Sequence, residues 1–123
     1  MIKKLAFGLT LFLAAAVNAH AASGFVKGKI KNVRVHDAKE YPNTWAPPIF
    51  WITLEGVTTA GNCQKWAGNP LFVMDSQMAF SMVLAYQMAG KEVAIYFDDT
   101  KLNVENAWCR AIYITGGDQV PTY

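Results

Sequence analysis

The sequence predicts a mainly β fold with one α-helix and a single disulfide. Short stretches that alternate between apolar and polar residues dominate the chain after residue 21, as half-exposed strands do. Only the stretch that ends near Ala89 has the length and apolar spacing of a helix. Two cysteines remain, Cys63 and Cys109, and in an oxidising compartment such a pair most often forms a bridge.

The first 21 residues are interpreted as a cleavable signal peptide. Two lysines precede an apolar run from Leu5 to Val17, which is too short to span a bilayer. Ala19 and Ala21 then form the small-x-small pattern of a cleavage site. We therefore expect a secreted or periplasmic protein whose residues 22–123 form one domain without a membrane span. An uncleaved N-terminal anchor is the alternative.

The charge balance argues against a nucleic-acid partner. The chain has 11 basic and 9 acidic residues, and two of the basic residues, Lys3 and Lys4, lie in the leader, which leaves 9 of each. Binding of nucleic acid calls for a basic excess and a clustered patch. Only Lys27, Lys29 and Lys31 share a strand face.

The first strand is predicted from Val26 to Val35. Its apolar phase slips after Ile30, which predicts a bulge near Lys31-Asn32 and a long, bent strand. Further strands are predicted at 49–54, 71–74, 92–97 and 109–115, with irregular structure at 56–70 and a proline-rich loop at 37–48.

The predicted helix has clear end signals and too much apolar surface for one stripe. Asp75 or Ser76 can cap its start, and Gly90 can end it in a left-handed conformation. Its apolar residues require cover on two sides. Burial within its own domain is one source of this cover. Other subunits are the second, because a domain this small has difficulty surrounding a helix completely.

Few residues could support catalysis or bind a metal. His36 is the only histidine after the leader. An acid–base pair with its neighbour Asp37 is disfavoured, because adjacent residues on a strand point to opposite faces. His36 is therefore interpreted as a solvated loop residue. Asp98 and Asp99 fall short of a calcium-loop pattern and are interpreted as turn residues. We expect no enzymatic activity, no metal and no cofactor.

Tryptophan is abundant for a small domain. Trp45, Trp51, Trp66 and Trp108 include at least two in predicted loops or at strand ends. Such rings stack on sugars or anchor protein interfaces. Alternatively, they fill the core beneath long loops.

Three segments carry a resemblance to a known family. They are Gly28-x-Ile30 with Val35-His36; Phe50-x-Ile52-x-Leu54-Glu55-Gly56 with Gly61 and Cys63; and Ala89-Gly90-Lys91-x-Val93-x-Ile95-Tyr96-Phe97. In order and spacing, over residues 26–98, the chain resembles the B subunits of subtilase cytotoxin and their pertussis-like relatives. The resemblance implies a small OB-like barrel, a ring-shaped homopentamer with the helices at its centre, binding of sialylated cell-surface glycans, and a catalytic A subunit as partner.

The family's sugar-binding hydroxyls are missing here. The matching positions are Lys27 and Phe97, neither of which has a hydroxyl. The candidate ligand-binding residues are therefore Lys27, as a charge for a sugar carboxylate, with Phe97 or Trp51 stacking nearby.

The cysteine pattern also departs from the family. Cys63 matches a family cysteine whose partner position is Thr53 in this chain, so Cys109 is expected to serve instead.

Two hypotheses follow for the function. The first is a non-enzymatic, toxin-B-subunit-like protein that binds a glycan or another cell-surface ligand as a ring, with Met78, Met82 and Ala85 as candidate interface residues on the helix. The second is a free-standing periplasmic domain that binds a protein partner and has no role in a toxin.

Overall fold

The computed structural model describes residues 21–37 and 43–117. The predicted signal peptide, apart from Ala21, lies outside the described residues. Within the described ranges there are seven strands and one helix longer than eight residues. In chain order they are β1 Ser23–Val35, β2 Phe50–Leu54, β3 Lys65–Trp66, β4 Asn69–Pro70, β5 Phe72–Met74, α1 Gln77–Ala89, β6 Glu92–Asn103 and β7 Trp108–Gly116.

Five of the strands close a barrel in the order β1-β2-β5-β7-β6. The β5–β7 pair is parallel and joined through one register pair, Val73 with Arg110, so the barrel closes unevenly. Counted along the chain, the barrel order is 1-2-3-5-4, and α1 lies between the third and fourth strands. This is an OB-like barrel. The predicted fold class of a mainly β protein with one main helix, an OB-like barrel and a single disulfide is confirmed.

The bulge predicted in the first strand is present. The register of β1 against β2 shifts between Ile30 and Asn32. The Asn32 side-chain amide donates to the Thr53 hydroxyl across this irregularity at 2.9 Å. The bend lets the first half of β1 pair with β6 and the second half with β2.

Strand β2 is buried on both faces. Phe50, Ile52 and Leu54 belong to the main core inside the barrel. Trp51 belongs to a second, smaller cluster that includes Leu71, Val73 and Val104.

Helix α1 begins and ends at the predicted residues. The Ser76 hydroxyl accepts a hydrogen bond from the Ala79 amide, and Gly90 has a φ of 65° at the C-terminal cap. Val83 is fully buried on the barrel side. The opposite side is open, because Met78 and Met88 are 84% and 88% exposed.

The Cys63–Cys109 disulfide is confirmed, with Cα atoms 5.4 Å apart. It joins the irregular segment after β2 to the start of β7. A disulfide fits an oxidising compartment such as the periplasm or the extracellular space. No helix in the described ranges is long and apolar enough to cross a bilayer.

Candidate functional site

All four tryptophans converge on one face of the barrel. Trp45 comes from a 3₁₀ turn in the β1–β2 loop, Trp51 from β2, Trp66 from β3 and Trp108 from the first position of β7. We call these four residues the tryptophan cluster. Together with Arg34, His36 and Leu71, they line an open cavity of about 210 Å³.

The chain reaches this arrangement through pairing and cross-linking. Trp51 lies directly opposite Arg34 in the β1–β2 register. Trp108 precedes Cys109, and Trp66 follows Cys63 by three residues, so the disulfide brings their two segments together.

The rings contact each other and one guanidinium group. The centroids of Trp51 and Trp66 are 4.9 Å apart. The Cζ atom of Arg34 lies 5.0 Å from the Trp51 centroid and 4.9 Å from the Trp66 centroid, which is cation–π geometry. Trp51 is 3% exposed and forms the floor of the cavity. The other three tryptophans are half-buried and keep ring surface available to a ligand.

The other side of the cavity is built around Trp45. Its ring meets Trp108 edge-on with centroids 6.5 Å apart and lies 5.1 Å from the His36 ring. Burial and the nearby charge of Arg34 both lower the pKa of His36 below its usual 6.5. At neutral pH, the cavity therefore combines a neutral imidazole with the permanent charge of Arg34.

A left-handed turn precedes Trp108. Val104, Glu105 and Asn106 have φ values of 52°, 60° and 54°. Such a conformation costs a non-glycine residue about 1 kcal/mol or more. The Asn103 side-chain oxygen accepts a hydrogen bond from the Val104 amide at 2.8 Å, and the Val104 side chain is buried in the cluster that contains Trp51. These contacts offset the cost and fix the chain at the edge of the cavity.

The cavity occupies the face that OB-folds use for ligands. In this fold, oligosaccharides and oligonucleotides bind across the second and third strands, between the first and the last interstrand loops. Trp51 lies on the second barrel strand, and Trp45 and Trp108 lie at those two loops. The side chains offer stacking surfaces, indole N–H donors and a guanidinium group. Among the described residues, no three acidic, histidine or cysteine side chains group to hold a metal ion.

The structure separates the three candidate ligand-binding residues. Trp51 lies in the tryptophan cluster. Lys27 lies on the first half of β1, opposite Ala94, with its Nζ 3.5 Å from a carboxylate oxygen of Glu92. Phe97 is 5% exposed in the barrel core, where its ring lies 6.2 Å from that of Phe72. Stacking on a ligand requires an exposed ring, and the Phe97 ring is buried.

The candidate interface residues lie along one side of α1. Met78 and Ala85 are exposed, and Met82 is half-buried. Their spacing of four and three residues places them on the same helical face.

The sequence identified the tryptophans but did not predict that they converge, and it did not single out Arg34. Two signals could have found the site. The bulge near Asn32 sets the register that places Arg34 opposite Trp51. The disulfide predicts that the segments carrying Trp66 and Trp108 are neighbours.

Comparisons with protein-family models, with characterised proteins and with solved structures found no match to this chain. Its relation to the toxin B subunits stays a prediction.

Proposed function

We propose that this protein is a non-enzymatic binding protein outside the cytoplasm that holds a carbohydrate at the tryptophan cluster. The observation that carries the proposal is the convergence of four tryptophans on the ligand-binding face of an OB-like barrel. Such rings present flat apolar faces that match the apolar faces of sugar rings.

The shape and polarity of the cavity favour a sugar over a purely apolar ligand. The cavity is open to solvent, and Arg34 at its edge is exposed and can donate hydrogen bonds to ligand oxygens. Half-buried indoles at the rim give stacking surface without closing the site. A short glycan that lies across the rim can therefore stack on one ring and receive hydrogen bonds beside it.

The test is a glycan array that includes neutral and sialylated glycans, followed by affinity measurements on variants. Trp66→Ala and Trp108→Ala each remove one half-buried ring, and we expect each to weaken binding by roughly five- to 150-fold, as loss of a stacking ring costs on the order of 1–3 kcal/mol. Lys27→Ala is the matched control at the site that the family resemblance favours.

The outcomes separate the alternatives. Loss of binding in the tryptophan variants with little change in Lys27→Ala supports the proposal. Loss in Lys27→Ala alone would move the site to the other half of β1. Absence of binding to every glycan would favour the free-standing periplasmic domain with a protein partner.

We further propose that the exposed side of α1 packs against other copies of the chain, as in the ring that the resemblance implies. The helix contains no charged residue over its 13 positions. Identical copies can therefore meet along Met78, Met82 and Ala85 without burying like charges. A catalytic A subunit is a further partner that the resemblance implies.

Light scattering coupled to size-exclusion chromatography tests the assembly. We expect a mass near five subunits for the wild type and a smaller species for Met78→Glu. Gln77→Glu is the matched control, because it adds the same charge one residue away at an exposed position. A monomeric wild type would refute the ring and leave glycan binding to be judged by the array.

A further inference from the structure

Asp99 holds both backbone polar groups of Ala22. The Ala22 nitrogen donates to one carboxylate oxygen of Asp99 at 2.9 Å, and the Asp99 amide donates to the Ala22 carbonyl oxygen at 2.9 Å. Pairing of β1 with β6 begins at the next residue, where Ser23 lies opposite Asp98. Residue 22 is therefore fixed at the end of the barrel sheet.

A second segment closes over the same carboxylate. The Asn62 amide donates to the other oxygen of Asp99 at 2.9 Å. Gly61 has a φ of 50°, and a Cβ atom there would come within 2.6 Å of the carboxylate and 2.8 Å of the Ala22 side chain. Only glycine fits at this distance. We call Asp99, Gly61 and Asn62 the N-terminal clamp.

The clamp surrounds the residue that becomes the N-terminus if the leader is removed at the predicted site. Hydrolysis of the Ala21–Ala22 peptide bond by a leader peptidase consumes one water, leaves a carboxylate on Ala21 and leaves an α-amino group on Ala22. This amino group takes up a proton at neutral pH, because an α-ammonium group has a pKa of about 7.7–8.0. The nitrogen that lies 2.9 Å from the Asp99 carboxylate then carries a positive charge.

We propose that the N-terminal clamp is a receptor for the processed N-terminus, in which Asp99 is the counter-ion of the Ala22 α-ammonium group. The inference rests on the export proposed above. Cleavage converts a neutral hydrogen bond into a charge-assisted one at a partly buried position. The ion pair joins the start of β1 to the segment that carries Cys63. The folded state of the mature protein is therefore more stable than that of the same chain with residues attached before Ala22.

The first experiment expresses the full chain with its own leader and determines the first residue of the exported protein by intact mass and N-terminal sequencing. Ala22 is expected. Retention of the leader would contradict export itself. Cleavage at another bond would overturn the clamp and leave export intact.

The second experiment compares purified proteins that begin at Ala22 or at Ala21, each with and without Asp99→Asn. The Ala21 form keeps an N–H group at residue 22 and moves the α-ammonium charge one residue further from Asp99, so it is a matched control for the position of the charge. We expect the extra residue to raise the unfolding equilibrium constant about three- to tenfold when Asp99 is present and to have no effect with Asp99→Asn.

Equal stability of the two forms with Asp99 present would overturn the proposal. Should Asp99→Asn fail to fold, salt gives an independent measurement. The difference between the Ala22 and Ala21 forms should shrink in 1 M NaCl, where the Debye length is about 3 Å. A difference that persists unchanged in salt would contradict an ion pair.

Discussion

Removing the Cys63–Cys109 bridge is expected to lower the free energy of unfolding by about 4 kcal/mol. The two cysteines are 46 positions apart, and in the chain-entropy account a closed loop of that length restricts the unfolded chain by this amount. For a domain of about 100 residues, the same change lowers the melting temperature by roughly 15–30 °C.

The assay is urea unfolding of the oxidised wild type, the two single variants Cys63→Ala and Cys109→Ala, and the double variant. The single variants should lose stability by similar amounts, because each removes the same cross-link. Both cysteines are buried, so the two substitutions change the solvation of their sites by similar amounts. The wild type in reductant is the matched control for loss of the bridge without substitution.

Two results would refute this reasoning. A double variant whose free energy of unfolding lies within about 1 kcal/mol of that of the oxidised wild type would show that the bridge does not restrict the unfolded chain. Single variants that differ strongly from each other would show that the two cysteines contribute through separate contacts and not through one shared bond.

Two further predictions follow from individual contacts. NMR titration should give His36 a pKa below 6.5, and Arg34→Gln should raise that pKa. Because the folded protein binds this proton less readily than the unfolded chain, the free energy of unfolding should fall as the pH drops through about 6.5. A His36 pKa above 6.5 would contradict the effect of burial and of the Arg34 charge. Asn69→Ala should lower the free energy of unfolding in urea by about 2 kcal/mol or more, since the buried Asn69 amide donates to two backbone carbonyls at 3.2 and 2.8 Å. Asn62→Ala is the control: it keeps the backbone amide that donates to Asp99, and it should change stability by less than about 0.5 kcal/mol. Equal effects of the two substitutions would contradict the role of Asn69.

Elements with strong local signals could be predicted from the sequence. The apolar phase slip in the first strand marks a real bulge, because an extra residue lets Val33 pack against the same core as Ile30, although Val35 is 50% exposed. Ser76 and Gly90 mark the ends of α1, because cap residues satisfy helix-end groups locally. The disulfide followed from the compartment and an even cysteine count.

Elements fixed by tertiary contacts could not be predicted. Strand β6 continues to Asn103, beyond the point where the sequence indicated a polar turn at Asp98 and Asp99. Asp98 pairs with β1, the last residues of the strand pair with β7, and the Asp99 carboxylate accepts from the distant Asn62 amide. The β3–β4 hairpin turns through Ala67 and Gly68, both with positive φ, although alanine is not a turn signal for that conformation.

The candidate site also has one part that local sequence signals predict and another part that only tertiary contacts determine. Aromatic abundance suggested recognition, and Trp51 lies in a strand that the sequence predicted. The meeting of Trp45, Trp66 and Trp108 depends on two loops and a cross-link, none of which leaves a periodic pattern in the sequence.

The most direct test of the proposed function is a ¹H–¹⁵N NMR titration of the mature protein with the tightest-binding glycan from the array. The four indole N–H signals report on the tryptophan cluster, and the backbone amides of Lys27 and Tyr96 report on the other half of β1 and on β6. We predict that indole signals of Trp45, Trp66 or Trp108 shift while those two amides stay in place. Shifts confined to Lys27 and Tyr96, with all four indoles unchanged, would contradict the assignment of the site.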